Sequence, residues 1–165
     1  MKQQWERLEA WLKANNPALL ADLNPPASDA DIQELEQKLG VKLPADFVEC
    51  LKVHDGQRGR AEPLFDGFEF FSCSKIHQQW KIWTDLLKSG AFRSFKSDPD
   101  DGICPDWWCS AWIPFAGNFE GDCLCLDLGP EVGGVFGQVI CVWHDDEDRD
   151  LIFDGFSGFL KSFNK

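Results

Sequence analysis

With 165 residues, 44% of them hydrophobic, the chain has material for one sizeable core and too little for two full domains. Its 28 Asp and Glu outnumber 16 Lys and Arg for a net charge of −12, which repels phosphate backbones and anionic bilayers and so excludes nucleic acid and membrane surfaces as partners. Eight Trp and fourteen Phe, with no Tyr, supply far more apolar ring surface than a disordered acidic chain carries.

Trp5, Leu8, Trp11 and Leu12 form a helical stripe that stops near Asn15, Asn16 and Pro17, and a linker over 23–27 with Pro25 and Pro26 follows. Ser28 stands three residues before Asp31 as a capping box, and Ile32, Leu35 and Leu39 keep helical spacing until Gly40 supplies a left-handed stop. Pro44 suits a first helical turn. Phe47, Leu51 and His54 then share one face before Asp55 and Gly56 end the run, which leaves His54 at a helix end whose dipole stabilises a cationic ring. Segment 64–71 joins a turn signal, Asp66-Gly67, to strand-like aromatics and reads as a hairpin or first strand.

Ser72 or Ser74 caps a helix carrying Ile76, Trp80, Trp83 and Leu87, closed by Gly90. Residues 93–106 read as a polar loop. Three apolar strands follow at 112–116, 123–128 and 139–143, and the short Gly-rich links between them favour antiparallel pairing. Phe153, Phe156, Phe159, Leu160 and Phe163 finish on a terminal amphipathic helix interrupted by Gly155 and Gly158. The order predicts one α+β domain over 1–165, an antiparallel sheet with helices packed at its N- and C-terminal ends.

No apolar export signal opens the chain, and seven cysteines at irregular positions do not make a disulfide framework, so the expected location is a reducing cytoplasm. Phosphate-loop, nucleophile-elbow, zinc-protease and dinucleotide motifs are missing, as is any flanking context that would pair a thiol with His54, His77 or His144 for catalysis. No catalytic residue and no cofactor is expected. Cys104, Cys109, the pair Cys123 and Cys125, and His144 raise a metal centre, but two close CxxC pairs are absent and Cys123, Cys125 and Cys141 sit in apolar strands as small hydrophobes; the reading is no metal. Asp122 and Asp127, five residues apart across a strand, face opposite ways, so Asp122 is expected to bond a turn and Asp127 to be a buried anchor.

The charge pattern is the most distinctive feature. Asp145, Asp146, Glu147, Asp148 and Asp150 crowd the six positions after His144, and Asp98, Asp100, Asp101 and Asp106 precede an exposed-looking pair, Trp107 and Trp108. Such runs are commonly solvated loops, and calcium-loop spacing is absent. Asp98, Asp100, Asp101, Trp107, Trp108, Asp145, Asp146, Glu147 and Asp148 are the candidate docking residues for a basic protein, where acids speed encounter and rings add short-range affinity.

Several segments, in order, resemble the Smi/Knr family of cell-wall-assembly regulators in the SUKH superfamily. They are Ile32, Leu35, Glu36, Leu39 and Gly40 with Leu43, Pro44, Asp46 and Phe47; then Leu51, His54, Asp55, Gly56 and Gln57; then 112–116; then Gly121 and Asp122 with 124–128; then 137–140; then Phe156, Phe159 and Leu160. The match covers about 28–162. Leu43, Pro44, Asp55, Gly56, Gly121, Asp122 and Asp127 are its structural motif positions. The resemblance implies a non-catalytic α+β protein-binding module: an immunity protein that neutralises a cognate toxin such as a nuclease in bacteria, or alternatively a regulatory scaffold of cell-wall synthesis or signalling as in fungi. The compact length favours the bacterial expectation. The Trp107-Trp108 segment and the acidic run are less typical of the family pattern and mark where partner specificity would lie; oligomeric state is not encoded in these patterns.

Overall fold

The computed structural model describes residues 1–163. Helices α1 (Lys2–Asn15), α2 (Pro17–Asp22), α3 (Asp29–Leu39) and α4 (Ala45–Leu51) open the chain, α5 (Cys73–Ser89) follows strand β1 (Glu69–Phe70), and α6 (Phe156–Lys161) ends it. Strands β2 (Asp98–Pro99), β3 (Trp112–Gly117), β4 (Cys123–Asp127), β5 (Gln138–Val142) and β6 (Asp148–Phe153) complete a six-stranded sheet of order β1-β3-β4-β5-β6-β2. Every pairing is antiparallel except β2 with β6. The fold is α+β, as the order of elements predicts.

Local signals place most of these elements. Ser28 and Asp31 form a complete reciprocal capping box, and Gly40 closes α3 at φ 71°. Ser72 caps α5 by accepting from the backbone N–H of Lys75, and Gly90 ends it in the left-handed region. Where the reading differs, the cause is local. Pro17 begins a second helix instead of only ending the first, because the Asn16 side chain caps it by accepting from Leu19 N. Pro44 is the N-cap of α4, one step outside the helix, and His54 lies beyond its last turn. Phe153 ends β6 and does not belong to α6.

Strands β3, β4 and β5 are buried along their whole length, because both faces of the sheet are covered. One face (Ile113, Phe115, Leu124, Leu126, Val139, Cys141) packs with Trp5, Leu35, Phe47, Phe65, Phe156 and Phe159 from the helices and the aromatic hairpin. The opposite face (Trp112, Cys123, Cys125, Ile140, Val142) packs with Trp83 of α5 and with Ile103 and Trp108. Trp108 is fully buried, stacked on Trp83 at 4.9 Å, with its indole N–H donating to Thr84. This corrects the expectation of an exposed Trp107-Trp108 pair: the second sheet face needs a lid, and Trp108 is part of it.

Candidate protein-binding face

The motif positions come first, because they show what is structural. His54 bonds Asn24 O through Nδ1 and Glu9 through Nε2, which ties α1 to the loop after α2. Asp55 accepts from Cys73 N at 2.7 Å at the start of α5. Gly56, at φ 67°, lies against the backbone of Phe71 and Ser72. Gln57 is buried and fully used: its amide donates to Asp22 and Glu62 O, and its carbonyl accepts from Leu64 N and Phe70 N. Leu43 is buried, and Asp46 reaches across to accept from Ser157 N in α6. This segment is a junction that fastens helices to the sheet.

Asp122 and Asp127 are anchors at opposite ends of β4. Asp127, fully buried, accepts from Gln138 and Gly129, as the burial argument requires. Burial raises its pKa, and those two hydrogen bonds counter the shift. Asp122 accepts from Asn118 and from both the backbone N–H and Nδ1 of His144. Burial pushes Asp122 up, but these bonds outweigh it and hold the carboxyl below its ordinary value; the same contact raises His144. The raised His144 stabilises the fold below its reference value of 6.5 and loses that contribution as pH climbs through its folded pKa. The lowered Asp122 contributes above 3.8 and loses its share as pH falls through its folded value. His144→Gln is therefore expected to show its largest stability deficit between these limits and a smaller one in alkali, read by urea unfolding at several pH values. The deficit stays below about 1 kcal/mol because the ring is partly solvated.

The acidic residues converge at the β6–β2 border of the sheet. β2 runs parallel to β6 with Asp98 opposite Asp148, and the backbone bonds Asp98 N to Glu147 O and Asp100 N to Arg149 O lock the register. The sequence-predicted loop 93–106 thus holds a strand, and the second half of the acidic run is a strand too. Asp148 is exposed, and its carboxyl is raised above the ordinary range first by the charge of Asp146, then by slight burial and by Asp150, Asp98 and Asp100. Asp98, Asp145, Glu147 and Asp148 point their charge to solvent. Asp100 and Asp146 are exposed as well but also accept from Leu151 N and Asp148 N, while Asp150 accepts the Trp143 indole N–H. Asp101 is exposed on the turn after β2.

Arg149 organises this border from beneath. It is fully buried, yet every hydrogen bond it makes goes to a backbone carbonyl: Trp107 O from Nε and Nη2, and Asp146 O and Asp148 O from Nη1. Its guanidinium also lies 4.5 Å from the Trp107 ring centre. Trp107, half-buried, packs on Phe95 at 4.9 Å on its way to the surface. The structure therefore brings Trp107 and the acidic run together through a residue that the sequence presents as a break in the run.

A family model described as the SMI1 / KNR4 family (SUKH-1) matches residues 26–162, most of the chain and nearly the span over which the motifs align. The chain belongs to the SMI1/KNR4 family. It is similar to the cell wall biosynthesis/cell cycle regulator smi1 of Schizosaccharomyces pombe, at 26% identity over 97% of this chain and 34% of that protein. It is 25% identical to the cell wall assembly regulator SMI1 of Saccharomyces cerevisiae, over 96% of this chain and 39% of that one. A glucan synthesis regulatory protein of Neurospora crassa matches at 26% over 94% and 36%. The chain thus spans little more than a third of the length of these relatives.

Within this SMI1/KNR4 chain the motif residues are the fold's fasteners, and the acidic border lies apart from the helical junction they build. Arg149 was missed from the sequence because five acids around it make the segment read as solvated. Arg149 is buried between exposed Asp148 and half-buried Asp150, but Leu151 and Ile152 after it are exposed, so β6 has no regular alternation that would mark Arg149 as inward-facing from the sequence. No described helix is long and apolar enough to cross a membrane.

Proposed function

We propose that the chain is a protein-binding regulatory module of the kind its cell-wall-regulator relatives are named for, and that it engages a basic partner through the acidic border formed by β2 and β6. The observation that carries the reading is the parallel β2–β6 pairing, which gathers Asp98, Asp100, Asp146 and Asp148 closely enough for their charges to act on one another. A concentrated negative field on a rigid edge raises the encounter rate with a cationic surface, and the Trp107 ring beside it supplies contact area. The relatives' names lend weight to regulation of cell-wall assembly, the alternative in the sequence reading, and give none to toxin neutralisation.

The test is replacement of the matching segment of the Saccharomyces cerevisiae regulator by this chain, scored as growth under cell-wall stress. Growth at the level of the native regulator supports the reading, and failure of a stably expressed chimera argues against it. The variant carrying Asp145→Asn, Asp146→Asn and Asp148→Asn keeps the side-chain acceptors and removes three charges. With a basic partner co-purified on the chimera from the complemented cells, it is expected to slow association roughly tenfold at low salt, with the gap closing as salt screens the field. An association rate equal to that of the unaltered chain would remove this border as the docking face.

A further inference from the structure

Five of the seven cysteines, Cys50, Cys73, Cys123, Cys125 and Cys141, are buried where a thiol packs as a small hydrophobe. Cys104 and Cys109 are only half-buried, packed against the rim of the second core with the rest of each side chain open to solvent. Their sulfur atoms and a carboxylate oxygen of Asp106 all lie within 4.8 Å of one another, with Cys104 Sγ 3.1 Å from Asp106 Oδ2. We propose that Cys104, Asp106 and Cys109 form a binding site for a thiophilic divalent cation of the zinc type, with a fourth position open to water or to Glu131.

The donor set suits that ion. Two thiolates and one carboxylate are ligands zinc takes, at about 2.3 Å to sulfur and about 2.0–2.2 Å to oxygen, which puts tetrahedral donors about 3.5–3.8 Å apart. The donor atoms lie no more than 4.8 Å apart, with one pair at 3.1 Å, which brackets that spacing. The backbone is already fixed: Ile103 and Trp108 are both buried in the second core, Ile103 N donates to Asp100 O, Cys109 O accepts from Trp112 N, and Arg149 clamps Trp107 O. A prearranged loop loses little conformational freedom on binding. Glu131, exposed, stands in the neighbouring loop, which its backbone N–H ties to Gly102 O.

The local charge has the right sign. The exposed Asp106 carboxylate lies against the Cys104 sulfur, and a dication that displaces the thiol protons pairs its charge with that carboxylate and the two thiolates. Asp106 and Cys109 also line a surface cavity of about 450 Å³ with Phe95, Arg93, Lys96 and Trp107, so the ion has a path in from solvent.

The test is titration of the fully reduced chain with Co²⁺ as a spectroscopic stand-in for zinc. The expected result is one equivalent bound, with a sulfur-to-cobalt charge-transfer band and the strong visible bands of tetrahedral cobalt, bleached by added Zn²⁺. The C104S/C109S double variant is expected to lose both sets of bands while keeping its far-UV circular dichroism. The unaltered chain gives a second readout that does not depend on a variant folding. Zn²⁺ is expected to slow alkylation of Cys104 and Cys109 at least tenfold, read peptide by peptide. A reduced chain with no charge-transfer band overturns the site. So do bands that survive the double substitution, alkylation unmoved by zinc, or an oxygen-and-nitrogen-only spectrum, which would place the ion at Asp122, His144 and Asp145, a group without sulfur.

Discussion

Arg149→Ala is expected to cost about 3–5 kcal/mol of folding stability, read as the midpoint and slope of urea unfolding. The substitution strips four hydrogen bonds from three carbonyls in a dry site, and bonds to a charged donor are each worth about 1.5–3 kcal/mol with non-additive sums. It also removes the cation stacked on Trp107. Arg149→Lys is expected to recover less than half of the loss, because an ammonium is a point charge and cannot reach Trp107 O on one side and Asp146 O and Asp148 O on the other. The guanidinium tolerates burial, which lowers its pKa, partly because Asp146 and Asp148 oppose the shift. A loss under about 1 kcal/mol for the alanine variant would show that water takes over the three carbonyls.

Gly56→Ala is expected to be as damaging, above about 3 kcal/mol. A Cβ there would meet Ser72 N at 2.3 Å and Phe71 C at 2.4 Å, both backbone atoms that cannot move without dragging β1 away from β3 or α5 off its cap. The left-handed φ of 67° adds about 1–2 kcal/mol for any residue with a side chain. Gly40→Ala separates the two effects. Gly40 has a similar φ of 71° but nothing within 4 Å of the new methyl, so only the conformational penalty of about 1 kcal/mol is expected. Equal losses at the two sites, measured by the same unfolding assay, would refute the close-approach argument for Gly56.

The contrast between these two residues shows what was legible beforehand. Gly40 follows a capped amphipathic run, and its role can be read from four neighbouring positions. Gly56 depends on strand β1 and the start of α5, fifteen residues on, and no local pattern reports that contact. The same division runs through the fold. Helices α3 and α5 and strands β3, β4 and β5 announce themselves by period and punctuation. Strand β2 does not: two residues paired in parallel to a distant strand owe their form to the partner and not to their own composition. At the candidate face, the acids were visible as a run, but their convergence and the burial of Trp108 were not. Both follow from long-range packing, of β2 on β6 in one case and of Trp108 on Trp83 and Trp112 in the other.

The sheet's two outermost members, Glu69–Phe70 and Asp98–Pro99, are each only two residues long, and the second ends in a residue with no amide hydrogen to offer. A border so abbreviated, and flanked by carboxylates, gives an incoming extended peptide almost no ladder to zip onto. Any partner that reads this rim must do so with its own side chains, so selectivity rests on the spacing of its cations and not on main-chain register. Point changes on either surface can then retune the match without disturbing the scaffold beneath.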